Sequence, residues 1–189
     1  MILNIFGPSG SGKTTLIREI IKKNKTHQFF EEFTNKKSKE NLNKKISISL
    51  IPLPLFRGTI EEYFMIFSIN INDLFKLNSQ LRDLAESVFG KIVDKKSLAK
   101  LSKRSVETFS AGELRRLFIL KSLIIKQPIT VIDEPFSNSD EKLWSTIYSA
   151  LQTMPRAIIL SHLSLEKFMS SNDQYKSIHI DEVRLKFKI

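Results

Sequence analysis

The sequence of 189 residues contains no cysteine. This absence excludes disulfide frameworks, thiolate metal sites and cysteine nucleophiles. Long apolar runs are also missing, because no stretch approaches the roughly 18 consecutive apolar residues of a membrane-spanning helix. The N-terminus does not show the basic region and long apolar core of a secretory signal peptide. We therefore expect a cytoplasmic protein, unless a partner holds it at a membrane.

Glycine-rich or proline-rich linkers and internal repeats are absent too. The chain has only 6 glycines and 6 prolines, with 41% hydrophobic and 26% charged residues. Such a composition is ordinary for a soluble globular protein. The length fits one domain that can bury a substantial core.

The sequence has fewer acidic than basic residues, 20 compared with 30, which gives a net charge of +10. The excess is concentrated in residues 22–45 and 91–104. Such runs are most often solvated surface, with anionic lipid and nucleic acid as the alternatives. Because few aromatic residues are interleaved with these basic ones, nucleic acid is not an expected partner.

One short motif has a clear chemical meaning. Residues 7–14 read G-P-S-G-S-G-K-T, after a predicted strand (residues 1–6) and before a predicted helix (residues 15–23). Glycines let the backbone wrap around an anion, so that N–H groups and the helix N-terminus point at it. The lysine supplies charge for the outer phosphates, and the threonine hydroxyl can bind Mg²⁺. The motif predicts that the chain binds a nucleoside triphosphate. The predicted phosphate-binding residues are Gly7, Pro8, Ser9, Gly10, Ser11, Gly12, Lys13, Thr14 and Thr15.

Residues 129–134 form a second candidate element, an apolar strand that ends in two adjacent carboxylates. Ligands of open α/β sheets bind at the C-terminal edge of the strands. We predict that Asp133 completes the Mg²⁺ site with Thr14 and that Glu134 is the general base for the attacking water. Such a strand is a weak signal alone, but beside a phosphate loop it indicates nucleotide hydrolysis.

The alternation of strands and helices predicts an α/β fold with a mostly parallel sheet covered on both faces. We expect extended segments at residues 28–33, 46–51, 129–132, 157–160, 177–180 and 184–189, and helices at about 110–125 and 140–153 and from residue 164. Residues 58–101 have a helical pattern only and predict a separate helical lobe. A capping box at Thr59 and Glu62 opens its first helix.

Residues 109–113, F-S-A-G-E, resemble the Leu-Ser-Gly-Gly-Gln signature of the ATP-binding cassette (ABC) ATPases, with Ser110 and Gly112 at the equivalent positions. In isolation, Ser110 and Glu113 would indicate only a capping box at a helix start. The spacing favours the family, because Ser110 lies 97 residues after Lys13 and 23 residues before Asp133.

Further segments resemble the same family in the same order. Asp140, in the sequence S-N-S-D, resembles the aspartate that acts across the dimer. His162 resembles the switch histidine, which contacts the γ-phosphate and orients Glu134. Residues 55–62 resemble the start of the helical lobe that docks on membrane partners. The resemblance covers nearly the whole chain and implies a P-loop NTPase, with one ABC-type ATPase domain over residues 1–189, a core at 1–55 and 105–189, and an inserted helical subdomain at about 56–104.

The resemblance also implies a mechanism and partners. Two cassettes, as a homodimer or a heterodimer, would sandwich two ATP molecules with Mg²⁺ and energise separately encoded transmembrane subunits. The chain would then lie peripherally on the inner face of the cell membrane. Peptide or bacteriocin export is suggested by the small size of the cassette. Two alternatives stay open: a soluble ABC-type ATPase that acts on nucleic acid or the ribosome, and a regulatory nucleotide-binding module with weak hydrolysis.

Two features depart from the family pattern. The glutamine that normally follows the strand at residues 46–51 is replaced by Leu53. Leucine contacts neither Mg²⁺ nor the attacking water, so we expect slow or altered hydrolysis. Family members also usually carry about two strands, with an adenine-stacking aromatic, before the phosphate-loop strand, whereas that strand begins here at Met1. We therefore expect reduced N-terminal antiparallel strands, and either another group that holds adenine or weak base discrimination.

Overall fold

The computed structural model describes residues 1–34, 46–50, 56–91, 94–137, 139–162, 164–165 and 175–187. The chain divides into two compact units. The first unit comprises Met1–Ile51, Gln127–Pro135 and Met154–Ile189, and the second comprises Pro52–Lys126 and Phe136–Thr153. The predicted division into a core and a lobe at residues 56–104 stays a prediction.

The first unit is built on a parallel sheet. Its strands, within the described residues, are β1 (Ile2–Phe6), β2 (Ile46–Ser49), β3 (Ile129–Asp133), β4 (Ala157–Ser161) and β5 (Tyr175–His179). Their order is β2-β3-β4-β1-β5, and each neighbouring pair is parallel. All five residues of β3 and of β4 are buried. The near-continuous apolar run of each strand fits a sheet covered on both faces, which confirms the predicted α/β class.

The described part of this unit contains three helices, α1 (Lys13–Lys22), α2 (Thr26–Thr34) and α8 (Ile180–Phe187). The prediction of an extended segment at residues 28–33 was wrong, because this segment lies in α2. Phe29, Phe30 and Phe33 are almost completely buried. Their spacing of one and four residues places the three rings on one face of a helix, toward the sheet.

The C-terminal prediction was partly correct. The first expected strand, at residues 177–180, is β5, although its bounds are shifted. The second, at residues 184–189, was wrong, because α8 occupies its described part. Ile180 and Val183 are buried, and Phe187 packs against the same core, which is a helical spacing. The side chain of Leu185, on the other face of the helix, is 81% exposed.

The second unit is helical in the described residues. It contains α3 (Ile60–Ile66), α4 (Ser79–Phe89), α5 (Lys95–Ser102), α6 (Ala111–Ile124) and α7 (Glu141–Gln152), with 3-10 turns at Ile71–Lys76 and Val106–Thr108. The predicted capping box of α3 is confirmed, since Thr59 and Glu62 bond to each other's backbone N–H groups. Leu53 lies outside the described residues, as does most of the helix predicted from Ser164.

Candidate functional site at the phosphate loop

The loop of residues 7–12 connects β1 to α1. Gly10 and Gly12 have φ angles of 78° and 82°, in the left-handed region where glycine avoids the strain of a side chain. At Gly7 the lack of space for a side chain favours glycine, because a Cβ there would lie 2.7 Å from Cγ2 of Ile180. The backbone N–H of Gly7 also donates to the carbonyl of Ser161 at 3.2 Å, which joins the loop to the end of β4.

The start of α1 leaves its backbone N–H groups available for an anion. No side chain caps this end within the described residues, and the first turn carries no acidic residue. Lys13, the first helical residue, is only 7% exposed. Its ammonium donates to the carbonyls of Gly7 at 2.8 Å and Pro8 at 3.0 Å. The loop therefore combines a buried cation with a positively polarised helix end.

Thr14 and Asp133, the two residues predicted to hold Mg²⁺, are in direct contact. The Thr14 hydroxyl donates to Oδ2 of Asp133 at 2.7 Å. Asp133 ends β3 and is 4% exposed. A hydroxyl and a carboxylate are hard oxygen donors, which suit Mg²⁺ bound together with phosphate oxygens and water. No larger cluster of metal-binding side chains occurs among the described residues, so the fit is to an ion shared with a phosphate ligand.

Glu134 and His162 form a second pair. Nδ1 of His162 lies 3.0 Å from Oε2 of Glu134. The backbone N–H of Glu134 donates to the carbonyl of Leu160 at 2.8 Å, so the end of β3 is bound to β4, which His162 follows. Glu134 has a φ angle of 48°. A left-handed conformation is uncommon for a non-glycine residue and often marks a functional position.

The phosphate loop, Asp133 and Glu134 line one open cavity of about 390 Å³ in the first unit, and His162 is not among its lining residues. A cavity of this size is within the usual range for small-molecule sites. The lining combines a buried cation, two carboxylates and several hydroxyls with glycine backbone. The residues that line the cavity are Ser9, Gly10, Gly12, Lys13, Thr14, Thr15, Asp133 and Glu134.

Ser110 and Asp140 lie in the second unit, and each caps a helix. Ser110 Oγ accepts from the N–H of Glu113 at 3.2 Å, and Glu113 accepts from the N–H of Ser110 at 2.8 Å. This bond from the Ser110 backbone lowers the pKa of the Glu113 carboxyl. Asp140 accepts from the N–H of Leu143 at 2.8 Å. Gly112 lies in the first turn of α6. The roles of Ser110, Gly112 and Asp140 toward a nucleotide stay predictions.

Sequence reasoning missed two residues beside the loop. Arg184 of α8 donates a hydrogen bond from Nη2 to the carbonyl of Ser11. His179, the last residue of β5, packs against Phe6 with 5.2 Å between the ring centroids. Both residues fall in segments predicted as terminal strands, and no motif marks them. Only the pairing of β5 with β1 reveals that they lie near the loop.

Comparisons with known proteins show the family that the sequence matches. The family model described as ABC transporter matches residues 1–137. A zinc import ATP-binding protein, ZnuC, of Wigglesworthia glossinidia brevipalpis is 27% identical over 183 residues, which cover 92% of this chain and 68% of the relative. A spermidine/putrescine import ATP-binding protein, PotA, of Mycoplasma mycoides subsp. mycoides SC is 22% identical over 95% of this chain and 49% of the relative.

The fold also matches solved structures. A structure described as the ATP-binding subunit of an ABC transporter superposes with a TM-score of 0.58 at 17% identity, over 99% of this chain and 82% of that chain. At this identity the likeness concerns the fold alone. The chain spans between about half and two thirds of the length of the curated relatives that it matches.

Proposed function

Because this chain belongs to the ABC transporter family, we propose that it binds and hydrolyses ATP to energise a membrane transporter. The observation that carries the proposal is the convergence of two residue pairs on the phosphate loop. Thr14 meets Asp133, and Glu134 meets His162. These pairs supply a metal site and a base beside a predicted triphosphate site, which is the set of groups that phosphoryl transfer to water requires.

The proposed mechanism assigns one task to each group. Backbone N–H groups of residues 10–15 bind the phosphates, and the Lys13 ammonium exchanges its carbonyl partners for the outer phosphates. Thr14 and Asp133 would hold Mg²⁺, which neutralises phosphate charge when bound. Glu134 takes the proton of the attacking water. His162 keeps the Glu134 carboxylate in place and stabilises charge on the γ-phosphate.

We also propose that the catalytic site is completed by a second cassette. The N-terminus of α6, which Ser110 caps, has the polarity to bind a γ-phosphate. In the proposed sandwich, each phosphate loop faces Ser110 and Gly112 of the other cassette, and Asp140 acts across the interface. ATP then closes the dimer and hydrolysis reopens it. The partner cassette is either a second copy of this chain or a different one.

The proposed partners are separately encoded transmembrane subunits, with this chain peripheral on the inner face of the membrane. Within the described residues, no helix combines the length and apolarity needed to cross a bilayer. The names of the curated relatives favour import over the peptide or bacteriocin export that the size of the cassette suggested.

Two measurements test the proposed function. The purified chain should bind ATP and release phosphate, and Lys13→Ala should abolish both. A tagged chain should copurify from detergent-solubilised membranes with a multispanning protein, identified by mass spectrometry, that raises its ATPase rate. ATP binding without any such membrane protein would favour the soluble ABC-type ATPase. Binding of ATP without phosphate release, even with the membrane protein present, would favour the regulatory module.

A further inference from the structure

The proposed mechanism uses no residue of β5, one of the two strands that pair with β1. β1 lies between β4 and β5, and Phe6 is in register with Ser161 on one side and His179 on the other. Two of the groups proposed for hydrolysis lie at the ends of β3 and β4: Asp133 ends β3, and His162 follows β4. These two strands lie together on one side of β1. The side of the loop next to β5 therefore has no assigned role.

This arrangement fixes the direction of a bound nucleotide. The outer phosphate must lie near Asp133, Glu134 and His162, since hydrolysis takes place there. The phosphates lie along the loop, so the nucleoside at the other end of the molecule extends toward the opposite side of β1. That side is formed by the end of β5 and by α8, which follows it directly.

The side chains of His179, which ends β5, and Arg184, in α8, lie on this side of the loop. Besides its bond to Ser11, Nη2 of Arg184 lies 2.9 Å from the position that a Cβ on Gly12 would occupy. Nε2 of His179 lies 3.6 Å from the corresponding position on Gly7. The side chains of Arg184 and His179 are 43% and 34% exposed, so each is anchored at the loop and still presents a surface to solvent.

Asp181 holds the two side chains together. Its backbone N–H donates to Nδ1 of His179 at 3.3 Å, and its Oδ1 accepts from Nη1 of Arg184 at 3.5 Å. The edge-to-face contact with Phe6 further restricts the imidazole ring. Two planar groups are therefore kept in defined positions next to the loop, which lowers the entropy lost when a flat ligand binds to them.

We propose that His179 and Arg184 form the surface that binds the nucleoside part of the nucleotide. This inference rests on the proposed function. The imidazole ring stacks on the base, and the guanidinium group donates to ribose hydroxyls or covers the base face. Neither contact reads the edge of a base. The surface therefore favours a nucleoside triphosphate over a bare polyphosphate, with little preference for adenine over guanine.

A comparison of ATP with inorganic tripolyphosphate tests the proposal, because the second ligand has no nucleoside. Both ligands compete with a fluorescent ATP analogue for the wild-type chain, His179→Ala and Arg184→Ala. Each variant should bind ATP on the order of tenfold more weakly, a typical effect of one lost stacking contact, and tripolyphosphate with unchanged affinity. An equal loss for both ligands would mean that the residues only support the loop and would overturn the proposal. Unchanged ATP affinity would also overturn it.

Matched variants complete the experiment. Lys186→Ala removes a cation from the same helix, where Lys186 pairs with Glu32 at 2.9 Å, and it should leave both affinities unchanged. If an alanine variant unfolds, as judged by circular dichroism, the more conservative polar changes His179→Gln and Arg184→Gln replace it. A wild-type chain that binds neither ligand contradicts the proposed function itself. A wild-type chain that binds both ligands, with no selective loss in the variants, contradicts only the nucleoside surface.

Discussion

Thr14, in the first turn of α1, donates a hydrogen bond to Asp133 at the end of β3, with 2.7 Å between Oγ1 and Oδ2. The two residues are 119 positions apart in the chain. Their contact joins the phosphate loop to the strand that carries the acidic pair. The two oxygens are close enough for both to bind one ion beside the loop, and they belong to the residues for which the sequence predicts a Mg²⁺ site.

Asp133→Asn should separate metal binding from nucleotide binding. The amide keeps the shape of the side chain but removes the charge that attracts Mg²⁺. We expect ATP hydrolysis to fall about 100-fold, while ATP affinity measured in EDTA stays within about twofold of wild type. Asp73→Asn, which breaks a surface pair with Lys76, is the control and should change neither value. An unchanged Mg²⁺ dependence of hydrolysis in Asp133→Asn would contradict the assignment.

Glu134→Gln should stop hydrolysis without stopping ATP binding. The amide cannot accept the proton of the attacking water, so we expect the rate to fall by about 10²- to 10⁴-fold. ATP should then hold a stable dimer, which size-exclusion chromatography with light scattering detects. Glu141→Gln, an exposed change in the first turn of α7, should behave as wild type. A Glu134→Gln chain that stays monomeric with saturating ATP would count against the sandwich.

Ser110 should matter for both stability and dimer formation. Ser110→Ala removes the cap of α6, which should lower the free energy of unfolding by about 1 kcal/mol and weaken ATP-dependent dimerisation. Thr59→Ala removes the equivalent cap of α3 and should reduce stability alone. Ser110→Asp retains a cap but adds a negative charge, so it should restore stability and still prevent the dimer. Dimerisation of Ser110→Asp with ATP would show that α6 does not meet the γ-phosphate.

Leu53→Gln should increase ATP turnover. Glutamine at this position would add a polar contact to Mg²⁺ and the attacking water that leucine cannot make. The position lies outside the described residues, so this expectation rests on the family resemblance. Steady-state phosphate release by the wild type and the variant, at saturating Mg²⁺ and ATP, provides the comparison. Equal rates would show that another group already performs this task.

Lys121 should make stability depend on pH. Burial lowers the pKa of Lys121 from 10.5 to about 8, and its ammonium lies 4.6 Å from the centre of the Phe67 ring. Because the folded pKa is the lower one, the unfolded chain binds more protons between about pH 8 and 10.5, and this contribution to stability rises with pH there. Lys121→Met should lose that rise and be more stable at pH 7 by about 1–3 kcal/mol. Chemical denaturation of both proteins at several pH values measures the difference; parallel profiles would contradict it.

Features that depend on neighbours along the chain could be predicted from the sequence. The phosphate loop follows from glycines at fixed positions, and the capping boxes at Thr59 and Ser110 follow from a three-residue spacing. The apolar strand that ends in Asp133 and Glu134 is equally local. Helix α2 could not be predicted in this way, because the burial of Phe29, Phe30 and Phe33 decides its form, and burial is a tertiary property.

The sequence by itself therefore determined the phosphate loop, the acidic pair, the parallel α/β class and the family resemblance. These depend on residue type and short spacing, which local sterics and hydrogen bonding translate directly into structure. The resemblance also implied that His162 orients Glu134, and their 3.0 Å contact depends on β4 lying beside β3. Tertiary structure alone decided that Arg184 meets Ser11. That contact depends on β5 lying beside β1, which requires residues far apart in the chain to pack together.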